Sequence, residues 1–499
     1  MICSTWLEFD ECCKDKQVVL FGASIHSQHL FSREGGKSKI ECVVDNDERK
    51  QGLLLKDVVG ECGENGSLVV MAPELLRDTY NPNEVVVCVA SVHFTDIKTQ
   101  LEGMGFFNVV SILEIQKNED FDGRYAYADK YANLSVEKKK IVMIMSFYGD
   151  HAKYITHALM GNSDIDIVWC VKNQRGDTPQ NVRSVNEANW GEYFGELETA
   201  RIVMYDNTLP NGFKKREGQI VIFVKHWASI TLKKFFLEDK MSCAVPESVT
   251  KMKIQSGMTD YILSGSAFDE KALRNGMQYQ GNFVRVGSPR SDVLFSKGIR
   301  EKICEHFAIP KEDKMLLYAP TFRRDERDAD KEFVAVNKWQ GIDLIKIRNV
   351  LEDKYNVKWH VIVKLHPMIA VSSMSSQYGD EIIDASRYDD VQELLAASDI
   401  LITDYSSVMF EPAFVGKPVY LFAPDKEHYI SEERDLLIDY DTLPFPISKT
   451  NEELITQIEQ FDEDSYKIGV KRFLQEYGVH EDGHASERAA AFIMGLIEK

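Results

Sequence analysis

The stretch Asp389–Phe422, DDVQELLAASDILITDYSSVMFEPAFVGKPVYLF, decides how this chain is read. Val391, Leu394 and Leu395 recur at helical spacing up to Ala397, Ile400–Ile402 is a short apolar run, and the polar turn Thr403-Asp404-Tyr405-Ser406-Ser407 follows. The order predicts helix, strand, turn, helix, strand. In an open parallel sheet, the turn after a strand's carboxyl end faces the ligand crevice, and a helix starting there offers unpaired N–H groups. Ser406 and Ser407 are therefore candidate phosphate donors, and Asp404 a candidate acceptor for a substrate hydroxyl. The same residues also read as an ordinary cap, because Ser and Asp favour helix starts anywhere.

Two upstream strands end in the same manner. KMLLYAPTFRRDE, from Lys314, leads to Thr321, Arg323 and Arg324, and WHVIVKLHP, from Trp359, leads to Lys364 and His366. Neighbouring parallel strands project such ends toward one rim, so arginines, a histidine and serines can converge on one anion. That convergence favours a phosphate site over simple capping.

A separate series of strands and helical patterns begins at Ile141. IVMIM ends in Ser146-Phe147-Tyr148-Gly149-Asp150, and Tyr154, Ile155 and Leu159 mark one face of the next helix. The strands DIVWCV, Arg201–Tyr205, Gln219–Val224 and Asp260–Leu263 follow, which indicates a second parallel sheet. Gln219–Val224 runs into a basic, aromatic turn, Lys225 to Lys234. Gly287 and Pro289 form a hinge to the next unit.

Nearer the start, the strand Gln17–Phe21, the turn Gly22-Ala23-Ser24, the strand Ile40–Val44 and Asp45 outline a Rossmann first unit with its acid placed to meet a ribose. The glycine set is incomplete, so a nucleotide is not assigned to it. Polar residues between Ile115 and Lys140 mark the main linker. Lys138–Lys140 reads as a solvated run, with weak attraction to anionic lipid as the alternative.

A formal net charge of -20 argues against a nucleic-acid partner. No apolar run reaches the roughly 20 residues of a membrane span, and MICSTWLEFDECC lacks a signal pattern, so a cytoplasmic location is expected. The 9 cysteines lack paired metal or redox spacing and read as reduced, buried thiols. His480 and His484, interrupted by Gly483, read as a polar loop, so no metal site is assigned.

The motifs YAPTFRR (Tyr318–Arg324), VKLHP (Val363–Pro367), SDILITDYSSVMFE (Ser398–Glu411) and GSPRSD (Gly287–Asp292), in combination, resemble the CDP-glycerol:poly(glycerophosphate) glycerophosphotransferase family. Weaker similarity, including NVRSV (Asn181–Val185), runs from Ile141 to the final helix. The resemblance implies an α/β chain of GT-B architecture with two Rossmann-like lobes; the first 115 or so residues lie outside it and read as a small Rossmann-like module ahead of them. The expected units are residues 1–118, a linker at 119–140, an acceptor lobe at 141–298, and a CDP-donor lobe with a closing helix at 299–499. It implies transfer of glycerol phosphate, or another polyol phosphate, from a CDP-linked donor to a hydroxyl of a polymeric or lipid-linked acceptor. CMP would leave without an obligatory metal or cofactor, and lipid-linked acceptors would draw the protein to the inner membrane face. A GT-B glycosyltransferase using a nucleotide sugar and a catalytically silent CDP-polyol-binding subunit are the alternatives.

Under this reading His366 assists the leaving phosphate, and Pro320, Thr321, Arg323, Lys364, Asp404, Ser406, Ser407, Glu411, Arg290, Ser229 and Lys233 contact substrate. The family's Trp-His pair, whose histidine is its proposed base, is inverted here as His226-Trp227. An indole cannot accept that proton, so His226 becomes the candidate base.

Overall fold

The protein is described by a computed structural model. It covers residue 3 and residues 6–31, 40–59, 62–91, 93–116, 130–131, 133–146, 148–162, 164–172, 178–239, 246–321, 323–324, 335–336, 341–365 and 381–498. The chain divides into two compact units, a smaller one from Met1 to Tyr127 and a larger one beginning at Ala128. Of the expected linker, residues 119–129 and 132 lie outside the described residues.

The smaller unit is built from short runs rich in β-branched residues, which favour pleated, buried strands. These are β1 (Gln17–Phe21), β2 (Ile40–Val44), β3 (Val70–Met71), β4 (Val85–Val89) and β5 (Val109–Ser111). They form one parallel sheet in the order β3-β2-β1-β4-β5. Gly22 leaves β1 at φ +102°, and a Cβ there would lie 2.9 Å from the Ala90 carbonyl, so only glycine fits. Asp45, the acid that the spacing places to meet a ribose, is engaged within its own turn. Its oxygens accept from the Ala23 N–H (2.8 Å), the Asp47 N–H (2.8 Å) and Lys50 (3.1 Å), so it braces the turn.

The larger unit holds two sheets. The first contains β6 (Glu137–Met145), β7 (Asp166–Val171), β8 (Val182–Asn186), β9 (Ala200–Tyr205), β10 (Ile220–Phe223), β11 (Tyr261–Ser264) and β12 (Asn282–Arg285). Their order is β12-β11-β10-β9-β6-β7-β8, with every pairing parallel. The second contains β13 (Lys314–Tyr318), β16 (Trp359–Val363), β17 (Ile382–Asp384), β18 (Ile400–Thr403), β19 (Val419–Phe422) and β20 (Ile447–Ser448), in the order β17-β16-β13-β18-β19-β20. Between β13 and β16 in sequence, β14 (Arg323–Arg324) and β15 (Ala335–Val336) form a two-stranded antiparallel ribbon.

Three features depart from the sequence reading. Strand β6 begins at Glu137, and Lys140 is buried, its amine on Glu137, Glu196 and Thr199, so the basic run is not wholly solvated. The final helix, Ala485–Ile497, follows the second sheet in sequence but packs on the first, where Ala489, Ala490, Ile493 and Leu496 join the Ile141–Met145 core. Asp292, in GSPRSD, receives the first N–H groups of that helix, from Ala485 at 3.0 Å and Ser486 at 2.7 Å. The helix therefore ties the two lobes together through the hinge segment.

The seam between the lobes is polar. Asp390 caps the helix Val391–Ala397 through the Gln392 and Glu393 N–H groups, and it also accepts from Lys153 (2.6 Å) and Tyr154 (2.8 Å) of the first lobe. Gly149 is required beside it, because a Cβ would lie 2.7 Å from the Asp390 carboxyl. The seam also holds apolar contacts, with Ile230 and Leu232 of the first lobe buried in the core of the second.

Candidate active site at the seam of two lobes

On the second lobe, the strand ends gather as the sequence implies, but their charges are used differently. Arg323 is buried. Its Nη2 donates to Asp404 (2.9 Å) and Asp425 (3.3 Å), its Nε to Asp425 (2.8 Å), and its Nη1 to the Thr321 carbonyl (2.7 Å). Tyr405 and Tyr429, stacked at 3.9 Å, carry the guanidinium at 4.9 and 5.0 Å from their ring centres. Asp404 accepts further from the Thr321 and Tyr405 N–H groups (2.8 and 2.6 Å), and Tyr405 donates to Asp425 (2.8 Å). Burial works to raise the Asp425 carboxyl, but the Arg323 hydrogen bonds outweigh it and hold the group below its usual value. Arg323 and Asp404, both candidate substrate contacts, pair with each other and shape the turn. Asp425, the third partner, stands too far along the chain to be read from any motif.

The remaining groups at this rim divide in a similar way. Ser406 caps the turn through the Val408 N–H. Ser407 bonds across the seam, to Thr231 Oγ1 at 3.0 Å and to the Leu232 N–H at 3.1 Å. The expected helix is a 3-10 turn, Ser407–Met409, continued by the short helix Phe410–Phe414, so its dipole is small. Lys364 donates to the Ser386 carbonyl (2.8 Å), and burial lowers its pKa. Pro320 is half-buried on the Thr321 turn, and Thr321 Oγ1 is buried with no partner among the described residues. Lys233 reaches this rim from the first lobe, its amine 5.7 Å from the centre of the Tyr429 ring, and burial lowers its pKa to about 8. His366 lies outside the described residues.

The first lobe contributes a second cluster. Lys225, just after β10, adopts φ +54°, unusual for a residue with a Cβ, and its amine is held by Asp269 (3.0 Å) and the Trp227 and Ala228 carbonyls. The reversal sends Trp227 into the core, where its indole N–H donates to Asp269 (3.0 Å) and its ring packs on Phe223, Phe235 and Phe236. His226 stays half-buried at the strand end. Its Nδ1 faces the Asp206 carbonyl at 3.3 Å; a carbonyl only accepts, so Nδ1 carries the proton and Nε2 is the basic nitrogen. Burial lowers the His226 pKa, which keeps the ring neutral and able to take a proton.

Arg290 and Glu411 sit beside it. Arg290 donates to Asp150 (3.3 Å), to the His226 carbonyl (2.7 Å) and to Glu411 of the second lobe. Burial raises the Glu411 pKa, opposed by Arg290. Ser229 donates to Glu481, which also accepts from the Ser288 N–H (3.0 Å), and burial raises that carboxyl to about 7. These groups, expected as substrate contacts, bind one another across the seam. Asp150, His151 and Asp206 were not selected from sequence, although Gly149-Asp150 at a strand end was a usable signal. Among the described residues no group of three or more His, Cys, Asp or Glu has metal-holding geometry.

Comparison with known proteins agrees with this architecture. The family model described as CDP-Glycerol:Poly(glycerophosphate) glycerophosphotransferase matches residues 129–495. A teichoic acid poly(glycerol phosphate) polymerase of Bacillus spizizenii is 26% identical over 395 residues, 74% of this chain and 96% of the relative. A teichoic acid glycerol-phosphate transferase of Staphylococcus aureus is 28% identical, over 70% of this chain and 92% of its own. The solved wall teichoic acid polymerase TagF superposes with a TM-score of 0.66 at 24% identity, covering 77% of this chain and 96% of that one. One TagF variant was solved after a soak with CDPG, at the same TM-score of 0.66 and 24% identity, covering 75% of this chain and 93% of that one. The two lobes are thus those of a GT-B enzyme, and the chain belongs to the CDP-glycerol:poly(glycerophosphate) glycerophosphotransferase family.

Proposed function

We propose that this protein transfers glycerol phosphate, or another polyol phosphate, from a CDP-linked donor to a hydroxyl of a polymeric or lipid-linked teichoic-acid-type acceptor. The observation that carries the reading is His226, a neutral imidazole with Nδ1 on a backbone carbonyl, whose own carbonyl is held by the Arg290 that also bonds Glu411 of the second lobe. Nε2 takes the hydroxyl proton as the oxygen attacks the phosphorus bonded to glycerol. The bond from that phosphorus to the bridging oxygen breaks, and CMP leaves with the electron pair. Lys233, the Ser406–Met409 turn and the Thr321 hydroxyl are the groups proposed to meet the donor diphosphate, with His366 proposed as proton donor to the leaving phosphate.

No obligatory metal or cofactor is proposed, and turnover that survives chelator treatment would support this. Among the described residues no helix is long and apolar enough to cross a membrane. A cytoplasmic protein touching the membrane peripherally is proposed from the acceptor class, and co-flotation with vesicles carrying anionic lipid checks it. The main test is a donor screen of the purified chain with a glycerophosphate primer. CDP-glycerol or another CDP-polyol should be consumed, and consumption of UDP-sugars in their place would replace this reading with glycosyl transfer. Binding of CDP-glycerol without any turnover would make the chain a silent subunit.

A further inference from the structure

The proposed transfer requires donor and base to be correct at the same moment, although they belong to different lobes. Arg290 stands between them, on the turn Pro289–Phe295 after β12. Its Nη1 holds the His226 carbonyl (2.7 Å) and Asp150 (3.3 Å), and its Nη2 holds Glu411. The Arg290 N–H donates to His151 Nδ1 (3.4 Å), which leaves His151 Nε2–H to donate to the Trp227 carbonyl (2.9 Å). Burial lowers His151 to about 3, so this neutral tautomer persists at working pH. The carbonyls of both His226 and Trp227 are thus anchored to Arg290, one directly and one through His151.

The other end of the contact is equally constrained. Glu411 is fully buried, and its second oxygen faces Ser291 Oγ at 3.4 Å. It lies one helical turn beyond Ser407, in the segment whose start is proposed to meet the donor phosphates. A shift of that segment therefore displaces Glu411, and with it the guanidinium that fixes the His226 backbone.

Resting on the transfer reading above, we propose that Glu411 and Arg290 are positioning residues that set His226 from the donor lobe, and that neither contacts substrate. Misplacement of a reacting group by about 1 Å costs on the order of a hundredfold in rate. Loss of the couple should therefore lower kcat and leave donor binding intact. Asp150, Arg290 and Lys225 are the charged groups that act most on His226, so removing the Arg290 charge leaves Asp150 less opposed and raises the pH at which the ring protonates.

The experiment compares the full chain with Glu411→Gln, Arg290→Met and the milder Ser291→Ala, which loosens Glu411 without removing a charge. Each is read for kcat with CDP-glycerol and primer, for donor Kd by calorimetry, and for the acid limb of kcat/KM. Glu411→Gln should lower kcat by about ten- to a hundredfold with donor Kd changed less than about threefold. Ser291→Ala should lower kcat by about two- to fivefold, and Arg290→Met should move the acid limb upward by about half a pH unit or more. Should Glu411→Gln or Arg290→Met fail to fold, Ser291→Ala alone decides. A donor Kd that weakens in step with kcat, or a kcat that does not change, overturns the inference while leaving the transfer reading in place. A wild type that turns over no CDP-polyol removes that reading, and the inference falls with it.

Discussion

Replacing Arg323 by methionine separates a structural guanidinium from a phosphate ligand. The wild-type side chain is buried, donates to Asp404, Asp425 and the Thr321 carbonyl, and lies over two tyrosine rings. Methionine keeps much of the volume and removes the charge. Asp404 would retain the Thr321 and Tyr405 N–H groups, and Asp425 would retain the Tyr405 hydroxyl, but both would lose the guanidinium. Breaking a buried ion pair from one side costs about 3–5 kcal/mol. For a lobe of this size that corresponds to a fall in Tm of roughly 10 °C. The pH dependence has a defined sign. Asp425 is held below its ordinary value of 3.8 in the fold, so the stability it contributes is present above that value and is lost as pH falls through the depressed pKa. The gap between wild type and variant should therefore be widest near neutrality and narrow toward strong acid. Thermal unfolding followed by circular dichroism across pH, with donor binding by calorimetry, measures both effects. A variant of normal Tm whose only defect is weaker donor binding would refute the internal role of Arg323.

Other substitutions probe the remaining parts. His226→Asn should lower turnover by about a hundredfold or more in initial-rate assays at unchanged Tm, and near-normal rates would remove it as base. His366→Ala should cost a similar factor if it protonates the leaving phosphate, and an intact kcat would assign that step elsewhere. Burial raises the Glu481 carboxyl from 4.5 to about 7, so the folded state holds its proton more tightly than the unfolded one and stability falls as pH rises through that window. Glu481→Gln should therefore match wild type in Tm near pH 4.5 and exceed it above about pH 7, and parallel curves would contradict the burial argument.

The strands are legible because their apolar runs are local, and for that reason the polar turn falls where the pattern places it, with Thr403 closing β18. The fate of the charges is not legible, because it depends on partners distant in sequence. Arg323 looks like an anion ligand until Asp425 is found beside it, and no periodicity links the two. The inverted His226-Trp227 pair could be noticed but not oriented, since its direction follows from the left-handed turn at Lys225 and the buried Asp269 that holds it. The return of the final helix to the first sheet was hidden similarly: Asp292 caps it from 193 and 194 residues away.

The most direct test is the identity and amount of nucleotide released when purified protein is given CDP-glycerol and a primer. Attack at phosphorus predicts one CMP for each glycerol phosphate added to the primer. Release of CDP with glycerol joined to the primer, which requires attack at carbon, or an unchanged primer would contradict it.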